Sequence, residues 1–176
     1  MIGPPISEHG QPPRFTLRDG RSEDIGALFA LHRLAATTAY AHIFPPERYP
    51  FPDEPVHAHW RALLAGSDDA REVIVAEADG HIAGVVVATG DTLEHLFVQP
   101  EFGGQGLGGD LHDAALRAIR RRGHRRAQRD VLEDNIRARG FYERRGWRQD
   151  GRRHKAEFAP HPQVVGYMIE LGWRRA

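Results

Sequence analysis

Apolar positions along this chain alternate, recur at helical spacing, and then alternate again, which predicts a sequence of strands and helices. Phe15-Thr-Leu-Arg18 alternates and reads as a first strand. Ser22 is a residue type that caps helices, and Glu23 and Asp24 follow in what would be the positive first turn. Ile25, Leu28, Phe29, His32 and Ala36 then keep helical spacing. Residues 40–55 place Tyr40, Phe44, Tyr49 and Phe51 among five prolines, which block regular pairing and predict a structured loop. Helical spacing resumes from His57 to Ala65 through Trp60, Leu63 and Leu64. Two strand-like runs, 72–78 and 81–88, flank Asp79-Gly80, a hairpin signal. Gly90-Asp91 makes a second turn, and Leu93 to Val98 is a third consecutive strand.

From Leu107 the apolar positions Leu111, Ala114, Ala115, Ala118 and Ile119 form one helical face, with Gly123 suited to the residue after the helix. Residues 125–132 read as a weak strand, in which Val131 and Leu132 fit and Arg129 and Asp130 do not. Asp134 or Asn135 caps a short helix through Tyr142 that Gly146 ends, and Val164 to Leu171 is a last strand. Residues 1–13, with four prolines and two glycines, predict a disordered tail, leaving 14–176 as a single domain. The expected fold class is α/β (α+β): a mixed, mostly antiparallel central sheet of six to seven strands with helices on both faces.

The junction at 96–111 carries the first chemistry. An apolar run meets Pro100, a loop follows with Gly103, Gly104, Gly106, Gly108 and Gly109, and a helix begins. Glycines let main-chain N–H groups approach a ligand closely. A helix start adds unpaired donors and partial positive charge. The combination predicts a phosphate or pyrophosphate cradle. A P-loop would need Lys-Ser or Lys-Thr after the last glycine, where Asp110 stands, so that site is excluded. A dinucleotide fold would place its glycine turn after the first strand of a parallel unit, whereas this one follows a meander.

Composition removes other classes. The 24 basic and 24 acidic residues balance, which argues against wholesale nucleic-acid or membrane binding. No apolar run approaches the ~20 residues that span a bilayer, and the N-terminus lacks a signal-peptide core. With no cysteine there is no disulfide or thiolate site, and the expected location is cytoplasmic. His57 and His59 are two apart with no acidic motif, so no metal is expected. Only Lys155 is lysine among the 24 basic residues, a bias read as genomic background. Fourteen arginines lie between 117 and 153, read mainly as a solvated face.

Two motifs, about 30 residues apart and in order, resemble the GNAT superfamily of acyl-CoA-dependent N-acetyltransferases. Val98, Pro100, Gly106 and Gly108 match the first, although Gly103 stands where relatives carry Arg or Gln. Asn135, Ala138, Phe141, Tyr142, Glu143 and Gly146-Trp147 match the second, and the resemblance covers residues 14–171. It implies acetyl-CoA as cosubstrate, with its diphosphate on main-chain N–H groups of Gln105, Gly106, Gly108 and Gly109, beside Gly104 and Leu107. The pantetheine arm would pair with the strand at Phe97 and Val98, and Asn135 would hold it or cap its own helix. The bare Gly103 would weaken the hold on the diphosphate or another arginine would compensate, and Arg117 or Arg139 would meet the 3′-phosphate.

Tyr142 is implied to protonate the departing thiolate, which a neutral phenol can do as charge builds on sulfur. Simple alternation puts Thr92, Glu94, Leu96 and Val98 on one strand face and Leu93, His95 and Phe97 on the other. Glu94 is the expected base for the amine, with His95 in reserve. The acceptor would be a primary amine, of a small molecule or a peptide, roofed by the aromatic loop; a homodimer is common among relatives. The competing expectation is a catalytically weak CoA-binding sensor or partner subunit.

Overall fold

The computed structural model describes residues 15–66 and 69–172; the tail expected at 1–13 and the last residues, 173–176, lie outside them. The strands are β1 (Thr16–Asp19), β2 (Arg71–Ala78), β3 (His81–Thr89), β4 (Thr92–Val98), β5 (Arg126–Leu132), β6 (Arg148–Lys155) and β7 (Gln163–Glu170). The helices are α1 (Ile25–Ala39), α2 (Asp53–Leu64), α3 (Leu107–Arg121) and α4 (Ile136–Arg144). The strands form one sheet in the order β1-β2-β3-β4-β5-β7-β6. Only the β4–β5 junction is parallel.

Alternation along β2 and β3 explains why helices cover both faces. Ile74, Ala76, Val86 and Ala88 face α3, which contributes Leu107, Leu111, Ala115 and Ile119 to one core; Tyr142, Trp147 and Val131 extend that core. Val73, Val75, Val85 and Val87 face the other way and pack with Leu28, Leu31, Trp60 and Leu63 of α1 and α2. At Gly84 α3 packs closely on the sheet. A Cβ there would stand 2.8 Å from Leu111 Cδ1, so the bare backbone is what admits the helix.

Three local readings need revision. Ser22 does not cap α1; it opens a short 3-10 turn, Ser22–Asp24, whose entry is held by Asp24. The Arg21 N–H donates to Asp24 Oδ2 at 2.8 Å, and Arg18 donates to both Asp24 oxygens. Helix α2 begins four residues before His57, because Pro55 falls in its first turn, where a missing N–H is harmless. Strand β6, Arg-Gln-Asp-Gly-Arg-Arg-His-Lys, carries no apolar residue and has no strand signature in sequence. It lies at the sheet edge, where pairing with β7 through the backbone suffices and both faces stay largely exposed.

Strand β4 departs most from simple alternation. Its register with β3 runs Val87↔His95 and then Ala88↔Leu93, so Glu94 is an extra residue in a bulge. Leu93 therefore joins Leu96 and Val98 against the α3 core, while Phe97 joins the α1–α2 core. The two-face assignment from strict alternation fails at this point.

Candidate active site

The bulge coincides with a fork in the sheet. β4 pairs with β3 at six positions but with β5 at one, Thr92↔Gln128. Gln128 closes that end: its N–H donates to Asp91 O at 2.9 Å and its amide to Asp91 Oδ2 at 2.7 Å. Beyond it the strands part, and among the described residues the β5-facing edge of β4 from Leu93 to Val98 has no strand partner. Arg129 spans the start of the gap, donating from Nη1 to Leu93 O at 3.1 Å and Glu94 O at 3.3 Å.

At the far end of β4 the chain turns through Pro100–Phe102 into the glycine loop. Gly104 and Gly106 take left-handed conformations, with φ of 77° and 88°, and Gly106 stands at the α3 N-terminus. Among the described residues, the N–H groups from Gly104 to Gly108 have no protein acceptor. Consecutive N–H groups around left-handed residues make an anion-binding concavity, and the helix start adds its partial charge. The Gly109 N–H, expected among the donors, instead donates to Gly106 O at 2.8 Å, and the Arg145 guanidinium lies against its Cα. The Gln105 side chain turns back to the Glu101 carbonyl at 3.0 Å, and Leu107 is buried.

A cation stands beside the position that lacks its side chain. Arg137 Nη2 lies 4.0 Å from where a Cβ on Gly103 would be. Arg137 is exposed and has no carboxylate partner among the described residues. Arg139, a sequence candidate for phosphate, is engaged with Tyr167 Oη at 3.1 Å and the Glu133 carbonyl at 3.0 Å. Arg117 is exposed on α3.

Across the fork from β4 sits the second motif. Asn135 caps α4 by accepting from the Ala138 N–H at 3.0 Å, and its amide donates to Tyr40 Oη at 3.4 Å. That bond ties the loop after α1 to the α4 entrance. Tyr142 is 2% exposed, packed edge-on to Phe141 and Trp147, with the Arg129 guanidinium 4.6 Å above its ring. Its hydroxyl makes no hydrogen bond among the described residues. Burial pushes the phenol up to about 12, against the pull of Arg129 and Arg145, so it is protonated at pH 7. Trp147 is itself fixed by donating to His112 Nε2 at 2.9 Å.

On the α1–α2 side of β4 lies an imidazole group that periodicity did not identify as one. His95 shares a 2.9 Å hydrogen bond with His59 and packs near His32 and Trp60; His32 stacks on Phe97 at 4.5 Å. Burial, then the neighbouring imidazoles, pushes His95 down to about 3 and His32 to about 4. His95 is therefore a neutral imidazole at neutral pH. Glu94 is half-buried in the bulge and has no ion-pair partner among the described residues. No group of three potential metal ligands occurs among the described residues, and no helix there is long and apolar enough to cross a membrane.

The aromatic loop reaches over this region. Phe44 packs with Tyr40, Tyr49 and Phe158 of the β6–β7 connection. Arg129, Arg137 and the histidine group escaped sequence reasoning. Arg129 left a trace: it interrupts the core-facing alternation Ala127-x-Arg129-x-Val131.

Comparison with known proteins places this arrangement. Residues 51–162 match the family described as an acetyltransferase (GNAT) domain. An uncharacterized N-acetyltransferase of Archaeoglobus fulgidus is 35% identical over 100 residues, 49% of this chain and 65% of that relative, so the match spans somewhat less than two thirds of its length. A GCN5-related N-acetyltransferase structure from Rhodopseudomonas palustris superposes with a TM-score of 0.73 at 21% identity, over 92% of this chain and 97% of that one. The structure of yncA from Salmonella typhimurium, solved with its cofactor acetyl-CoA, gives 0.67 at 16% identity, over 93% and 97%. With two signatures in order, a forked sheet and a family match over most of its length, the chain belongs to the GNAT acetyltransferase family.

Proposed function

We propose that this protein transfers an acetyl group from acetyl-CoA to a primary amine by direct attack. The observation that carries the reading is the fork: an unpaired strand edge runs from the start of the gap at Arg129 to five free N–H groups at the α3 N-terminus. An amide-bearing arm can pair with such an edge as an added strand does. The N–H groups of 104–108 and the nearby Arg137 suit a diphosphate, the arginine standing in for the side chain absent at Gly103. Asn135 is engaged as a helix cap and keeps acceptor capacity for the arm.

An alkyl ammonium has a pKa near 10.4, so reaching the free amine at pH 7 costs roughly 4–5 kcal/mol, which a nearby base lowers. Glu94 takes that proton, directly or through water; His95, the sequence's reserve base, is too weak for the task once burial pushes it down to about 3. The amine nitrogen then bonds to the thioester carbon, the carbon–sulfur bond breaks, and Tyr142 gives its proton to the sulfur. The aromatic groups Tyr40, Phe44, Tyr49 and Phe158 favour an acceptor with an apolar or aromatic body, a small molecule or a peptide end.

The test is thiol release from acetyl-CoA with 2-phenylethylamine, spermidine, glycinamide and an alanine-initiated pentapeptide. Release with at least one amine, greatest for the aromatic one, is expected. The bare Gly103 favours a second reading, a CoA-binding sensor; measurable acetyl-CoA binding with no release from any amine would establish that reading instead.

A further inference from the structure

The residue that fills the fork is costly. Arg129 is half-buried, its Nε is buried with no hydrogen-bond partner, and no carboxylate pairs with it among the described residues. Taking a cation from water without a counter-charge is unfavourable, and an unmet buried donor adds to the cost. Its neighbours on the same β5 face, Ala127 and Val131, are core residues, so a leucine or methionine there would carry neither cost. Nor is Arg129 needed to anchor β5, which holds β7 through seven consecutive pairs. What the guanidinium does touch is specific. Nη1 bonds the two β4 carbonyls at the bulge, and the guanidinium plane covers the ring of Tyr142 at 4.6 Å.

We propose that Arg129 is a positioning residue for thioester cleavage: it pins the mouth of the fork at Leu93–Glu94 and holds a fixed positive charge on the Tyr142 ring while the phenol gives up its proton. This rests on the reading of Tyr142 as the acid. The physical need is plain. A phenol pushed above its ordinary value by burial is a poor donor to a thiolate, whose conjugate acid has a pKa near 8.5. Negative charge that develops on the phenol oxygen and on sulfur is stabilised by a preorganised cation in a site shielded from water. The other groups around the ring do not supply it. Arg145 from the end of α4 is paired with Asp113, and burial pushes the His112 imidazole from α3 down, against carrying charge. Arg129 alone brings uncompensated charge to that ring among the described residues.

The experiment replaces Tyr142 in the full chain with a difluorinated tyrosine, whose phenol titrates in an accessible range, and follows its absorbance against pH. Arg129→Met is expected to raise that titration midpoint by about half a unit or more, and Arg129→Lys to recover much of the difference. Arg129→Gln, neutral and polar, carries the same expectation if the methionine variant does not fold. In turnover, Arg129→Met is expected to lower kcat about tenfold with the acetyl-CoA KM within about twofold, and to add nothing further in a Tyr142→Phe background. An unmoved midpoint, or effects that multiply in the double variant, overturns the proposal. Full activity in Tyr142→Phe alone would instead remove the acid, and with it the basis of this inference, whichever way the midpoint moves.

Discussion

The two edges of β4 behave as if they belonged to different proteins. Toward β3 the strand is laddered at six positions and backed by valines whose side chains are fully buried; toward β5 it is paired once and then left open. The same seven residues serve both edges, so local preference cannot be the cause. The difference lies in the neighbours. β3 returns from a tight turn and must pair antiparallel, while β5 arrives after a helix and is held by β7, which matches it at every residue from Arg126 to Leu132. The bulge at Glu94 interrupts the regular edge of β4, and Arg129 bonds the Leu93 and Glu94 carbonyls there. A sheet that is continuous on one side of a strand and split on the other gives a rigid wall with a notch in it.

That contrast predicts which changes affect stability and which affect turnover. On the closed side, Leu111→Ala removes the side chain seated on Gly84 and is expected to cost about 3 kcal/mol, read by denaturant unfolding, with KM for acetyl-CoA little changed. On the open side, Tyr142→Phe should lower turnover about 100-fold while acetyl-CoA still binds by calorimetry, a general-acid loss. A fully active variant would detach the notch from the chemistry.

Acid should strain the closed side. His32 and His95 have folded values of about 4 and about 3, below the ordinary 6.5, so the unfolded chain takes up protons first as pH falls. Stability is then complete above about pH 6.5 and drops by about 3 kcal/mol by pH 4 for His32 alone, a limb that His32→Phe should flatten in melting scans. Arg137→Ala should weaken acetyl-CoA binding about tenfold and leave acetyl-pantetheine, which lacks the diphosphate, unaffected. The smallest effect expected is Glu94→Gln, about fivefold in kcat at neutral pH, because water remains to take the proton.

Much of the frame was readable from residue order. The strands at 16–19, 81–89 and 92–98 and the helix from Leu107 stand within a residue or two of where periodicity put them, since each has one face to bury and a period that matches it. The edge strand β6 left no trace, because a backbone paired on one side and wet on both faces asks nothing of its side chains. The bare glycine loop was legible in the sequence, but not that Gly109 would spend its N–H on Gly106, which depends on the tightness of the first α3 turn.

What the sequence determined alone is therefore the elements other than β6, the two signature motifs and the bare loop at 103–109, all of them local consequences of spacing and of missing side chains. What only the tertiary structure decided is how those parts meet: Glu94 in a bulge, Arg129 across the fork and over Tyr142, and Arg137 beside Gly103. These depend on how far β5 is drawn from β4 by its pairing with β7, a distance set between segments remote in sequence and invisible to any period within them.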